Sequence, residues 1–339
     1  MSVRIVFTSC SDPIDEPVQP VWDRIAAERP DHLVLIGDQI YMDFGFLGIG
    51  SDNPPLGKPA GMRNGEFAAA MHERYRREHA IMTSGALGPL LAGPLRVHGI
   101  WDDHDFAWNN SYGDGGSNNE HGPSNKRDAV PCDKQRIARR LMRDFFSALI
   151  APGAPYPPNP VIGDTVALDE DLSVPMFCSS PPAHQSIRLA PGVRLLLTDG
   201  RTWRTRPNRD DATVFGTRQW SWIKQEMTSG DVILLASGST LDQDRLSLDN
   251  YGDYQRLLDL ADATRARVLC LTGDVHECDW RHHGDHILEA VASGAARESF
   301  GQSGAYGRLD IDEQSVAVHL VGERPTIDRT VDRASWRVR

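Results

Sequence analysis

His32-Leu33-Val34-Leu35-Ile36-Gly37-Asp38-Gln39-Ile40-Tyr41 runs apolar for a few residues, breaks at a glycine and then delivers an acid. His32–Ile36 reads as a strand that Gly37 ends. The same arrangement recurs on either side. Val3–Thr8 ends in Ser9-Cys10-Ser11-Asp12, and Leu95–Trp101 ends in Asp102-Asp103-His104-Asp105. Arg194–Leu197 ends in Thr198-Asp199-Gly200-Arg201, and Arg267–Leu271 in Thr272-Gly273-Asp274-Val275-His276. Between such runs lie segments of helical period: Val18–Glu28 (apolar at Val18, Val21, Trp22 and Ile25), Lys134–Leu149 (Ile137, Leu141, Phe145 and Leu149), Gln219–Met227 and Tyr254–Ala263. With the further strand Val232–Ala236, this alternation is the signature of an α/β layer fold.

Towards the end of the sequence, Ile287–Ala292, Ala305–Ile311 and Ser315–Val321 read as strands, the last two forming an antiparallel hairpin around a short acidic turn. Three stretches rich in Gly, Pro, Asn or Ser, at 44–62, 109–131 and 151–182, interrupt the pattern. Alternation resumes after each, so the expectation is one catalytic domain over 1–339 carrying three loop insertions.

The net charge of −11 excludes a general nucleic-acid binder, which needs a basic stripe along phosphates. It equally disfavours electrostatic attachment to an anionic membrane. The first residues, MSVRIVFTSC, carry an apolar run too short for an export signal, and no segment has the length of a membrane anchor. Five cysteines, at 10, 132, 178, 270 and 278, are an odd number without paired spacing. A reducing compartment is therefore expected, and with it a cytoplasmic location.

Five apolar strands deliver acids, His or Cys at their carboxyl ends, which is where open α/β sheets place their ligands. Asp102, Asp103 and Asp105 crowd His104 with carboxylates that repel each other unless a cation or strong donors compensate. Asp274 and His276, two apart, fall on one side of an extended segment and offer an oxygen and a nitrogen to one cation. Cys10 taken alone is a small buried apolar residue; beside Asp38 and Asp274 in a shared crevice it becomes a thiolate ligand. Tyr41 follows Asp38 by three residues.

Together these residues resemble the PhoD-like (alkaline phosphatase D) branch of the metallophosphoesterase superfamily. The matching stretches are Ser9-Cys10-Ser11, Gly37-Asp38-Gln39-Ile40-Tyr41, Asp102-Asp103-His104-Asp105 with Asn109-Asn110, Thr198-Asp199-Gly200-Arg201, Gly216 with Gln219 and Trp222, and Thr272-Gly273-Asp274-Val275-His276, in the family's order. The resemblance implies a four-layer α/β/β/α sandwich of two mixed sheets with a centre of two or more metal ions at the strand ends. It implies Asp38 as the bridging carboxylate, Cys10 and Tyr41 on one metal, and Asp103 or His104, Asn109, Asp274 and His276 completing the centre or meeting phosphate. Ferric iron with calcium is the favoured pair; zinc, manganese or magnesium are the alternatives. One departure stands out: the Asp-X-His pair that opens many metallophosphoesterases is replaced by Cys10 with Asp12.

The expected activity is metal-dependent hydrolysis of phosphate monoesters, diesters or both. Two cations about 3.5–4 Å apart activate a water and hold both ends of an in-line displacement. The sequence has neither a Gly-X-Ser-X-Gly elbow nor a P-loop, and this chemistry requires neither. His104 is the candidate general acid, Asp103 its acidic neighbour, and Arg201 a candidate fork for phosphate oxygens. The rival readings are a phosphodiesterase confined to nucleotide or lipid head-group diesters, and a non-catalytic metal-binding relative. The segment 109–131 is expected to act as a lid.

Overall fold

The computed structural model describes residues 2–43, 59–113, 129–151, 153–180, 185–207, 210–227, 231–244, 246–296, 304–322 and 326–339. One sheet takes β1 (Val3–Thr8), β2 (His32–Ile36), β3 (Arg96–Ile100), β4 (Cys178–Ser179), β11 (Tyr306–Ile311), β12 (Ser315–Val321) and β13 (Ile327–Asp332). Their order is β13-β12-β11-β1-β2-β3-β4. The other takes β5 (Ser186–Ala190), β6 (Val193–Leu197), β7 (Val232–Ser237), β8 (Arg267–Thr272), β9 (Cys278–His283) and β10 (Ile287–Ala292), in the order β5-β6-β7-β8-β10-β9. Both sheets are mixed. β1, β2 and β3 run parallel in the first, as do β6, β7, β8 and β10 in the second.

Side-chain alternation places each residue in its layer. Val34 and Ile36 of β2 and Ile5 and Phe7 of β1 point between the sheets, where they meet Leu195, Leu234, Leu269 and Ala290. Leu33, Leu35 and Val6 point the other way, into a second core under α1 (Val21–Ala27), α2 (Asn64–Ser84), α3 (Leu87–Leu91) and α5 (Cys132–Ile150). On the far side Leu196, Leu235, Val268 and Cys270 pack under α6 (Gly216–Glu226) and α7 (Gly252–Thr264). The result is the expected α/β/β/α sandwich. Each fully buried Leu, Ile or Val in these layers contributes about 1.5–3 kcal/mol relative to exposure.

The expected elements are present with shifted ends. The first helix begins at Val21 because Pro20 stands at its cap, which leaves Val18 exposed rather than packed. The hairpin of β11 and β12 has the register Ile311↔Val316. Its acidic turn is held by the Asp312 carboxylate, which accepts the N–H groups of Gln314 and Ser315 at 2.7 Å each. α2 is the largest element without a sequence signal. Its buried face mixes Phe67, Met71, Tyr75 and Met82 with Arg74 and Glu78, so charge masks the apolar period. Most of the insertion at 44–62 and the centre of 109–131, including the proposed lid, lie outside the described residues. Among the described residues no helix is long and apolar enough to cross a membrane.

Candidate metal centre

The carboxyl ends of β1, β2, β3, β7 and β8 converge on one buried group of polar side chains. Two overlapping sets of ligand atoms lie within 4.8 Å of one another: Asp38, Asp103 and His104, and Asp38, Asp102, Asp103 and Asp274. Asp38 and Asp103 belong to both. Cys10 approaches from β1, its Sγ 3.6 Å from Asp38 Oδ2. Tyr41 places its hydroxyl 3.5 Å from the same oxygen and 2.9 Å from His276 Nε2. Cys10, Asp38, Tyr41 and His276 thus form one side of the group, and Asp102, Asp103 and Asp274 the other.

The backbone here is unusual. Cys10, Asp38, Asp274 and His276 all have positive φ, at 64°, 54°, 73° and 54°. Left-handed conformations are uncommon for residues other than glycine and persist only where the surroundings hold them. They also correct the extended geometry expected for Asp274 and His276: β8 ends at Thr272, and a tight left-handed turn aims the two side chains instead. Asp102 is approached closely by two glycines. A Cβ on Gly238 would stand 2.4 Å from its carboxyl carbon, and one on Gly37, itself at φ +102°, 2.5 Å from its Cβ. Only glycine permits this approach from two strand ends at once.

The electrostatics follow from crowding acids in a dry site. Burial first, then Asp103 and Cys10, hold Asp38 well above the ordinary carboxyl range. Burial first, then Asp102 and Asp103, do the same to Asp274. Burial pushes the Cys10 thiol up to about 11. Burial opposes the proton on His104, but Asp103 and Asp43 outweigh it and push the ring up to about 9. Besides the His104 ring, a guanidinium enters the group. Arg201 is fully buried and bonds Asp102 through Nε, with Asp103 3.8 Å from its guanidinium.

The donor set fits metal ions. Asp102 Oδ2 is buried without a hydrogen-bond partner among the described residues. Four carboxylates share one Arg, an arrangement that costs several kcal/mol per uncompensated ion. A thiol, a phenol and an imidazole on one side, and carboxylates on the other, offer a mixed sulfur, oxygen and nitrogen site next to an all-oxygen one.

Arg201 departs from the expected phosphate fork. Its remaining nitrogens reach the Ser111 carbonyl at 3.4 Å and Ser239 Oγ at 3.1 Å, so its head is spent on holding the acids. Asn109 is exposed, and it meets the region through its backbone N–H, which donates to Asp43 Oδ2 at 2.9 Å. Asp105 turns away to cap α4 (Asp103–Phe106), receiving the Gln39 N–H and the Tyr75 hydroxyl at 3.0 Å each. Asp199 is likewise structural: it accepts Trp101 Nε1–H at 2.8 Å and the Met176 N–H at 2.7 Å, while Gln219 brackets its backbone. Sequence reasoning missed Asp43, whose Oδ1 lies 2.8 Å from His104 Nδ1. An acid five residues after Asp38 carries no local signal. It placed Asp102 among the acids around His104 without naming it a ligand, and it missed Ser293, which touches both Cys10 and His276.

Comparison with known proteins gives three results. The family model described as PhoD-like phosphatase matches residues 5–233, more than half of the chain. Among solved structures the chain is similar to a dimetal phosphatase from Danio rerio, at 12% identity and TM-score 0.52, covering 98% of this chain and 99% of that one. It also matches a protein of Thermus thermophilus, at 9% identity and TM-score 0.40, over 100% and 98% of the two chains. No curated protein matches.

Proposed function

As the chain belongs to the PhoD-like phosphatase family and is a metal-dependent phosphoesterase, we propose that its centre is built on Asp38 as the carboxylate common to two cations. The observation that carries this is that Asp38, which with Asp103 belongs to both sets of ligand atoms, also has Cys10 Sγ and the Tyr41 hydroxyl 3.6 and 3.5 Å from its Oδ2. The Danio rerio neighbour, a dimetal phosphatase, supports two metals here. Cys10, Tyr41 and His276 would hold one, and Asp102, Asp103 and Asp274 the other. Thiolate and phenolate are strongly donating anions, so the first site favours ferric iron; the all-carboxylate site favours a hard cation such as calcium.

Bound cations supply Lewis acidity and a water of lowered pKa. The chain's own groups do the rest. In the metal-free protein Asp103 and Asp43 push the His104 ring up to about 9, and the Asp43 carboxylate at its Nδ1 fixes the ring, leaving Nε2 to serve as the acid towards the leaving oxygen. The His104 backbone N–H donates to Asp38 Oδ1 at 3.2 Å, which keeps acid and bridging ligand in register. Asp103, at the start of α4, is held by the Asn110 N–H and by Arg201.

A second reading is favoured by Arg201. With that arginine committed to Asp102, a diester, which has one ionised oxygen fewer than a monoester, suits the site better. Comparing kcat/KM for an aryl phosphate monoester and an aryl phosphodiester decides between the two, with the diester expected ahead. The hydrolase proposal itself is tested by element analysis of protein purified without chelator, alongside turnover of wild type and Asp38→Asn. Metal-free protein with full turnover would refute it.

A further inference from the structure

The loop that leaves β10 runs beneath Cys10. The N–H groups of Gly294 and Ala295 donate to the Ser9 carbonyl at 3.2 and 2.9 Å, and that of Ala296 to the Cys10 carbonyl at 3.2 Å. At the head of this loop stands Ser293, fully buried. Its Oγ accepts the His276 N–H at 2.9 Å and lies 3.1 Å from Cys10 Sγ. Its own N–H donates to the Glu277 carbonyl at 3.1 Å.

A serine hydroxyl has one proton to give and two lone pairs. The His276 N–H occupies a lone pair, so the proton remains for the sulfur. A thiol proton running the other way has Asp38 Oδ2 and Ser9 Oγ as further acceptors, at 3.6 and 3.4 Å, and it is gone once sulfur is a thiolate. Cys10 and His276 both sit in left-handed conformations and come from the ends of different strands. One side chain therefore links the Cys10 sulfur to the His276 main chain, between two strand ends that do not pair with each other.

We propose that Ser293 is the positioning residue for the thiolate ligand: its hydroxyl donates to the Cys10 sulfur while its oxygen holds the His276 main chain. This rests on the reading that Cys10 and His276 bind metal. A thiolate that accepts an O–H is a weaker donor, because the proton stabilises its filled orbitals. Groups in this outer position orient the ligands and tune the metal.

The test uses full-length protein stripped of metal and titrated with Co²⁺ alone, reading affinity and the near-ultraviolet sulfur-to-cobalt band. Ser293→Ala lowers Co²⁺ affinity about 10–100-fold and moves the band to longer wavelength. Ser293→Thr, which keeps the hydroxyl, restores both. If Ser293→Ala does not fold, Ser293→Thr and Ser293→Val, which differ by the hydroxyl alone, give the same contrast. An unshifted band with wild-type affinity in the variants lacking the hydroxyl overturns the assignment of Ser293 and leaves the metal reading standing. A wild-type protein without a sulfur-to-cobalt band, or one whose band survives Cys10→Ser, overturns both.

Discussion

Two acid-rich groups lie within this fold, and they are built on opposite terms. Asp38, Asp102, Asp103 and Asp274 bring their oxygens within 4.8 Å of one another, and so do the ligand atoms of Asp242, His283 and Glu289. Proximity alone would rank them together. Each group contains a guanidinium, but Arg201 in the first hydrogen-bonds Asp102 alone of its four acids, whereas the second is more completely paired. Arg281 reaches Asp242 at 3.2 Å and Asp279 at 2.8 Å, and lies 3.9 Å from Glu289. Glu289 is fully paired: one oxygen accepts the Leu241 N–H and the Thr272 hydroxyl, each at 2.8 Å, and the other meets His283 Nε2 at 2.9 Å. The far nitrogen of that ring faces Tyr254 at 3.0 Å. In the first group an oxygen of Asp102 has no such partner among the described residues. The proposed metal site therefore leaves a buried acid oxygen short of a partner, and the structural network satisfies its own.

The sharpest way to break this contrast is to neutralise one acid in each group. Asp38→Asn should lower turnover by more than about 100-fold, beyond the usual loss from an outer-shell partner, with metal content falling in parallel. Glu289→Gln should keep its metal. Its effect is expected on stability, at about 3–5 kcal/mol, because removal of one partner leaves buried charge unpaired; urea unfolding measures it. If Glu289→Gln loses metal and Asp38→Asn does not, the assignment of the two groups is reversed.

A smaller effect separates them by pH. Asp38 and Asp274 hold their protons to higher pH in the folded, metal-free protein than in the unfolded chain, through burial first and neighbouring acids second. A folded pKa above the unfolded one means the native state binds more protons between the two values. Metal-free stability from this source is thus fully present below the unfolded pKa and is lost as pH rises through the folded one. Cations replace those protons. The stabilisation on adding metal, about 2.7 kcal/mol at a hundredfold excess over Kd, should therefore widen as pH rises from the ordinary carboxyl range through the raised folded values. Calorimetry with and without metal shows it, and a constant gain would remove the protons from the account.

The smallest expected effect is at Cys270, buried in β8 on the helix side of its sheet. Cys270→Ser should leave the visible absorption of the purified protein unchanged, whereas Cys10→Ser and Tyr41→Phe should each shift or bleach it. A colourless, iron-free and fully active protein would retain the hydrolase assignment and discard iron.

Much of this was legible before the structure. Apolar runs such as His32–Ile36, ended by glycine or a polar cluster, are determined locally, and so are their positions in a layered fold. Asp38 and Asp274 are readable for the same reason. What escaped depended on distance in space. Nothing near Asp43 points to His104, and nothing near Ser293 points to Cys10, because those partners arrive from other strands. Arg201 looked like a phosphate ligand because its ion pair with Asp102 spans two sheets. The left-handed turns at Cys10 and His276 escaped too, since neither residue type announces that conformation. α2 was hidden by its own buried Arg74, which donates to the Tyr41 carbonyl at 2.7 Å, and by Glu78.

The bracing of Cys10 by the loop after β10 also has a consequence in time. In the folded protein 283 residues separate Cys10 from Ser293, and β1 pairs on one side with β11, Val3 opposite Ile311. At about 5–20 residues per second, some tens of seconds of translation pass between the two halves of that bracket. During that interval the thiol and its neighbouring acid have left the ribosome without the strand, the serine or the histidine that shape their pocket. On the proposed reading, the pocket that would hold the first metal is complete only once Ser293 and β11 have followed Cys10 out of the ribosome, so its loading belongs late in synthesis or after it.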